Sequence, residues 1–253
     1  MPMDAEVQTH ARTLAQRSPD HFRAGPFTVR YNPVWSLKYA NYAIPDQDAE
    51  PTAEDIDALV AAFRAHDRLP RLEFLPGAAP AVEPALLAAG FTVENRAPVM
   101  ACAPGELRTP KPVADLAITE PATDAEFAAA ALIQHHGYGG TGEPEDGPAQ
   151  WLRTAAKGGG VAALATLDGL PVAAGGCSVP VGGLTELAGL AVADTHRRRG
   201  IGAALSAHLT ATAFERGCRV VWLEPADEAV ERIYAGIGFN RIGEKLNISL
   251  DPA

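Results

Sequence analysis

The sequence predicts an α/β protein whose two halves are built on one scaffold. Short β-type runs of Val, Ile, Leu and Ala alternate with helical patterns along all 253 residues. A shift of 148 positions then lays residues 71–91 on 219–239 without a gap. Eight of those 21 positions match: Arg71/Arg219, Leu75/Leu223, Ala78/Ala226, Ala81/Ala229, Val82/Val230, Glu83/Glu231, Gly90/Gly238 and Phe91/Phe239. The same shift lays 39–44 on 187–192, and the helix pattern over 53–66 on the one beginning at Ile201. Agreement in element order makes a degenerate structural repeat the better reading than chance matches between alanine-rich segments.

In the first half, residues 4–16 read as a polar helix, ended by Ser18-Pro19-Asp20. A short strand is expected over 27–31, and a longer, aromatic-rich one from Trp35 to Ile44. Thr52 is placed to cap a helix over 53–66, whose Ile56, Leu59, Val60 and Phe63 share one face. A strand over 71–75 turns at Pro76-Gly77 into a helix over 82–89, stopped by Gly90, and Phe91 leads a strand to Ala101. Residues 104–115 hold three prolines and a glycine among charged residues and read as a linker. The expected domains are therefore 1–103 and 116–253.

In the second half, Leu116 starts a short strand, and Thr123-Asp-Ala-Glu126 is a capping-box pattern for a helix to about His135. A glycine-rich acidic loop over 137–148 precedes a short helix through Trp151 to Lys157. Strands over 161–167 and 171–179 flank Asp168-Gly169, a strong hairpin signal. An apolar strand from Thr185 to Val192 leads by a polar loop to a helix over 201–215, with Gly217 as its stop. A buried-type strand over 219–223, a helix over 227–237 ended by Gly238, and a last strand region over 239–250 complete the chain.

Composition narrows the function classes. With 47% hydrophobic and 21% charged residues, the chain has material for a sizeable core. A formal net charge of -10 repels nucleic-acid backbones and anionic membrane surfaces, and no apolar run approaches the length of about 18 residues that a membrane helix needs. Cys102, Cys177 and Cys218 are odd in number and widely spaced, which fits neither a zinc site nor a disulfide framework. No signal-peptide pattern opens the chain, so a cytoplasmic protein is expected, as a monomer or homodimer without a metal.

Against that acidic background stands the basic cluster Arg197-Arg198-Arg199, followed by Gly200-Ile201-Gly202-Ala203 at the start of a small-residue helix. The first N–H groups of a helix lack intrahelical partners, the helix dipole is positive there, and arginine forks grip phosphate oxygens in pairs. Glycine lets the backbone approach an anion closely. No Gly-Lys-Ser/Thr is present, so a P-loop is unsupported, and a dinucleotide fingerprint fails at Leu205.

Arg197-Arg-Arg-Gly-Ile-Gly202 after the strand 187–192 resembles the acetyl-CoA-binding motif of the GNAT superfamily of N-acetyltransferases. The segment from Asp227 to Phe239, with its Tyr234-x-x-x-Gly238-Phe239 ending, is similar to that family's next helix. The resemblance covers residues 115–250 well and 35–101 faintly. It implies a GNAT acyl-CoA N-acyltransferase fold, with a mixed, mostly antiparallel sheet flanked by helices and a degenerate N-terminal half-repeat. It also implies acetyl-CoA as cofactor and a small-molecule or peptide amine as acceptor.

On that resemblance, backbone N–H groups from Arg198 to Ala203 would bind the pyrophosphate, with Arg197, Arg198 and Arg199 adding charge. Leu190, Ala191 and Val192 lie on the strand that pairs with the pantetheine arm, and a free N–H at about Leu190 would stabilise the oxyanion. Gly189 is suited to a bulge there. Tyr234 would assist departure of the thiolate, and Glu186 or Glu224 would take the amine proton. His135, His136, Tyr138 and Trp151 stand where the acceptor pocket is commonly shaped, although a surface His pair and a packed Trp fit as well. In the first half, Ala49-Glu-Pro-Thr-Ala-Glu54 replaces the arginine loop and Leu86 replaces Tyr234, so one active site per chain is expected. The alternative of another class is a non-catalytic acyl-CoA-binding or ligand-sequestering regulatory module, against which the retained Tyr234 argues.

Overall fold

The computed structural model describes residues 2–18, 20–33, 38–144 and 147–251, and of Pro148 the backbone only. The first half runs through α1 (Met3–Gln16), β1 (Phe22–Ala24), β2 (Phe27–Arg30), β3 (Tyr42–Pro45), α2 (Ala53–Ala65), β4 (Arg71–Phe74), α3 (Val82–Ala88) and β5 (Thr92–Cys102). The second half runs through β6 (Leu116–Thr119), α4 (Asp124–Gly137), α5 (Gly147–Lys157), β7 (Val161–Leu167), β8 (Leu170–Cys177) and β9 (Leu184–Val192). It continues with α6 (Ile201–Glu215), β10 (Val220–Leu223), α7 (Glu228–Gly236) and β11 (Asn240–Ser249). The offset of 148 recurs in three dimensions: α2 and α6 begin 148 positions apart, α3 and α7 end so, and β5 and β11 begin so.

Two compact units result, Met1–Val99 with Ile242–Ala253, and Met100–Arg241. This differs from the expected division at 103 and 116, because each half completes its sheet with the other half's last strand. In the first unit, Leu246 to Ser249 of β11 pair antiparallel with Phe74 to Arg71 of β4. In the second, Met100 to Cys102 of β5 pair antiparallel with Leu223 to Val221 of β10. Residues 104–115 are likewise no free linker. Leu107 and Val113 pack on the second unit's core, the Arg108 N–H donates to the Ile237 carbonyl at 2.9 Å, and Asn240 donates to Glu106 at 3.1 Å. The prolines there rule out a regular element, while the two apolar side chains still find burial.

The first unit's sheet runs β1-β2-β3-β4-β11. Its core is aromatic, with Phe27, Phe63, Phe74 and Leu86 fully buried, each such side chain contributing about 1.5–3 kcal/mol. Helix α2 starts at a capping box between Thr52 and Asp55 and buries Ile56, Leu59 and Phe63, the expected face, with Val60 half-buried. The buried Arg71 is held by ion pairs to Glu73 and Glu94, as a buried charge requires. The strand expected from Trp35 to Ile44 is shorter: residues 38–40 form a 3₁₀ turn, β3 begins at Tyr42, and 34–37 lie outside the described residues. Strand β1 was not foreseen.

In the second unit, β10 is flanked by β9, which continues to β8, β7 and β6. The β7–β8 turn uses Asp168 and Gly169, both at positive φ (51° and 77°), as a two-residue hairpin demands. Helix α6 buries Ile201, Leu205, Leu209 and Ala213 at helical spacing. Its buried hydroxyls donate to carbonyls one turn back, Ser206 to Gly202 and Thr210 to Ser206, both at 2.8 Å.

Gly238 ends α7 at φ 108°, and a Cβ there would run into the backbone carbonyl of Glu106. Gly217, at φ 91° behind α6, has open space around the same position. Gly238→Ala should therefore cost about 2 kcal/mol or more and Gly217→Ala nearer 1 kcal/mol in urea unfolding. Equal midpoints for the two variants would contradict the close approach of Gly238 to the Glu106 carbonyl.

Candidate functional site

The site grows out of a parting between two parallel strands. Strand β9 pairs with β10 only from Leu184 to Glu186, opposite Val220 to Trp222. On its other edge β9 stays paired with β8 as far as Val192, opposite Ala173. Between those limits Gly189 and Leu190 stand opposite Gly175 alone, a bulge in which Gly189 takes φ 65°. The Gly189 carbonyl accepts from the Gln134 side-chain amide of α4 at 2.7 Å, and Gln134 is itself buried.

A cavity of about 830 Å³ occupies the opening between β9 and the start of α7. Leu190, Ala191, Val192, Arg197, Arg198, Gly200, Ile201, Gly202, Ala203 and Tyr234 all line it, so the structure gathers these sequence-predicted residues around one space. Arg199 is not among its walls. Glu186 is not either; it lines a neighbouring cavity with Gln134, Tyr138 and Trp151. Glu224 joins the larger cavity, as do Ser206 and Asp227, which had no assigned part.

At one side of the cavity is the opening of α6. Gly200 is its N-cap residue at φ 82°, with no side-chain cap, and the first helical bond is made by the Ala204 N–H to the Gly200 carbonyl at 3.0 Å. The N–H groups of Ile201, Gly202 and Ala203 thus begin the helix without intrahelical partners. Arg198 is also left-handed, at φ 62°, a conformation that costs energy outside glycine. Arg197 is steadied by its own bonds, to the Val192 carbonyl at 3.2 Å and the Asp194 carboxylate at 2.8 Å. These features suit a phosphate-bearing group: unpaired donors, a dipole of the right sign and cationic side chains line the same wall.

Tyr234 stands on α7, which Asp227 caps through the Val230 N–H at 2.8 Å. Its ring is 6% exposed and packs on Phe239, with centroids 5.7 Å apart. Burial, aided by the nearby Tyr138, pushes its pKa up to about 12, and the Ser206 hydroxyl offsets part of that. The phenol is therefore protonated across the physiological range. Tyr138 lines both cavities while remaining largely exposed to solvent. His135 and His136 hold the following glycine-rich loop, through the Thr141 carbonyl at 3.1 Å and the Gly142 carbonyl at 3.0 Å. Gln134 escaped sequence reasoning; a polar residue on the buried stripe Ala130-Ala131-Gln134 of an alanine-rich helix was the available signal.

The first unit shows the same junction closed. Ala43 of β3 pairs with Leu72 of β4. Gln8 of α1 then bridges the strand ends, donating to the Pro45 carbonyl at 3.2 Å and accepting from the Leu75 N–H at 2.8 Å. By the repeat offset, Pro45 and Leu75 correspond to Ala193 and Leu223, beside the cavity of the second unit. Where α6 is uncapped, α2 carries its own capping box. Among the described residues no cluster of His, Cys, Asp and Glu could hold a metal ion, and no helix is long and apolar enough to cross a membrane.

Residues 127–239 match the model of the acetyltransferase (GNAT) family. The whole chain superposes on the structure of a GCN5-related N-acetyltransferase from Kribbella flavida, with a TM-score of 0.85, 27% identity and 97% of that chain covered. A GCN5-related N-acetyltransferase from Sphaerobacter thermophilus shares the fold at a TM-score of 0.61 and 15% identity, over 90% of this chain and 78% of that one. So does a tandem GNAT protein from the clavulanic acid biosynthesis pathway, at 0.63 and 12%, over 99% and 93% of the two chains. No curated protein matches by sequence.

If burial keeps Tyr234 protonated, an ultraviolet difference titration of the protein against Tyr234→Phe should show no tyrosinate from this residue below pH 10. A transition near the ordinary tyrosine value of about 10 would contradict its buried, weakly acidic state.

Proposed function

We propose that the protein, whose residues 127–239 match the acetyltransferase (GNAT) family, is an acyltransferase of that type and transfers the acetyl group of acetyl-CoA to a primary amine in a ternary complex. The single observation that carries this reading is the cavity that brings the uncapped start of α6, the β9 bulge and Tyr234 to one space.

Acetyl-CoA supplies an activated thioester carbonyl and a thiol leaving group. The N–H groups of residues 198–203 and the side chains of Arg197 and Arg198 bind its diphosphate, while the open edge of β9 from Leu190 to Val192 receives the pantetheine arm. An N–H at about Leu190 donates to the carbonyl oxygen as that oxygen gains charge. Gln134 keeps the bulge in register by holding the Gly189 carbonyl. Glu186, next to Tyr138 in the adjoining cavity, removes the proton from the incoming ammonium.

Tyr234 acts as a hydrogen-bond donor to the departing sulfur. With a pKa of about 12, it is a weaker acid than a thiol of about 8.5, so full proton transfer from it is uphill. The sulfur takes its proton from water afterwards. Overall, an ammonium and a thioester give an amide, a thiol and one released proton.

We assign no cofactor to the first unit. Gln8 occupies the strand ends there, α2 is self-capped, and Pro51 and Glu54 stand in place of Arg199 and Gly202. Its part is then structural, a degenerate copy of the same scaffold.

Calorimetry should give one acetyl-CoA per chain, and Arg197→Ala combined with Gly202→Glu should abolish that binding in a protein of unchanged circular dichroism. Two equivalents, or unchanged affinity, would overturn the site. Tyr234→Phe should lower kcat about a hundredfold while leaving acetyl-CoA affinity near wild type, since general acid–base and hydrogen-bond assistance acts in the transition state. Equal turnover would remove Tyr234 from the chemistry.

A further inference from the structure

Helix α6 carries two fully buried hydroxyls one turn apart, Ser206 and Thr210. Both donate to the carbonyl four residues back, Ser206 to Gly202 and Thr210 to Ser206, each at 2.8 Å. Neither bond is needed to satisfy its carbonyl, because inside an α-helix each of these oxygens already accepts an N–H. What separates the two hydroxyls is position. Ser206 stands in the wall of the large cavity together with Tyr234, and Thr210 does not. Burial and then Tyr138 raise the Tyr234 pKa, whereas the Ser206 hydroxyl, hydrogen-bonded to the phenol, lowers it.

We propose that Ser206 is a positioning residue for Tyr234, a buried hydroxyl that turns from the Gly202 carbonyl to the phenol oxygen as the sulfur of CoA gains charge. The inference rests on the acetyl-transfer reading and adds to it a partner for the group assigned to the leaving sulfur. A serine hydroxyl has one proton and two lone pairs. While the proton lies on the Gly202 carbonyl, Ser206 offers the phenol a lone pair, so the Tyr234 O–H donates to Ser206. When a thiolate forms in the cavity, the phenol O–H turns to the sulfur and the Ser206 O–H turns to the phenol oxygen. The Gly202 carbonyl keeps its helical N–H, so no buried acceptor is left bare. Two bonds then run in a chain from Ser206 through Tyr234 to sulfur, and each polarises the next. No covalent bond breaks, and no proton changes its heavy atom. With a phenol pKa of about 12, the sulfur is stabilised by hydrogen bonding rather than by transfer of that proton.

The test reads the sulfur directly and needs no acceptor amine. CoA is the probe, bound at saturation to the full-length protein, and its thiolate is titrated by ultraviolet difference spectra against the desulfo-CoA complex. The proteins compared are wild type, Ser206→Ala, Tyr234→Phe, the double variant and Thr210→Ala. Wild type should hold the bound thiol below the ordinary thiol value of about 8.5. Ser206→Ala should raise it by about half a unit, roughly a threefold smaller ratio of thiolate to thiol at a given pH. Thr210→Ala removes the same kind of bond one turn further on and should leave the value unchanged. Tyr234→Phe should raise it, and adding Ser206→Ala should move it no further, a non-additivity that loss of packing alone does not produce. No shift in Ser206→Ala, or an equal shift with and without the phenol, would overturn the proposal and leave Tyr234 in its role. So would loss of CoA binding in Ser206→Ala. A bound thiol that titrates alike in wild type and Tyr234→Phe would remove Tyr234 from the sulfur, and this proposal with it, even with one CoA bound per chain.

Discussion

A strand that loses its neighbour on one edge must find other partners for its backbone, because an unpaired N–H or carbonyl shut away from water is costly. Beyond Glu186, β9 is in that position: β8 continues beside it while β10 has ended its pairing. One carbonyl, that of Gly189, is answered from within by Gln134. The rest of the exposed edge faces the cavity, next to a helix whose own first donors are also unanswered. The site is thus a place where regular structure stops satisfying itself, and the proposed ligand, rich in amides and phosphate oxygens, would complement what is left over.

The first unit meets the same constraint and resolves it internally. Its corresponding strand ends are bridged by Gln8, whose side-chain amide donates to one strand and accepts from the other. Asp46, the offset partner of Asp194, is tied to Arg12 and Arg23. Helix α2 caps itself through Thr52 and Asp55. Each of these contacts satisfies within the fold groups that the second unit leaves open, so the two copies keep one scaffold while their open donors differ.

Much of this was legible in the sequence because it depends on local chemistry. The offset of 148 predicted where α6, α7 and β11 fall, and Thr52, Thr123 and Asp168-Gly169 placed their caps and turn from side-chain and φ requirements alone. The arginine loop and Tyr234 were visible as a pair because their motifs are short and contiguous. The features that escaped are long-range. Gln8 reaches residues 37 and 67 positions away, and Gln134 reaches across 55. The exchange of β5 and β11 between units, and the packing of Leu107 and Val113, depend on tertiary burial that no local pattern encodes. Arg199 shows the converse limit: a motif names three arginines, but the geometry of the turn decides which of them reach the cavity.

The contrast between an open cleft and a plugged one is most directly tested by hydrogen–deuterium exchange on the full chain, with and without acetyl-CoA. Slowed exchange should be confined to the second unit, at the amides of residues 189–192 and 198–203. No change should appear over residues 42–58 or in α1. Protection in the first unit, or none at the start of α6, would contradict the account.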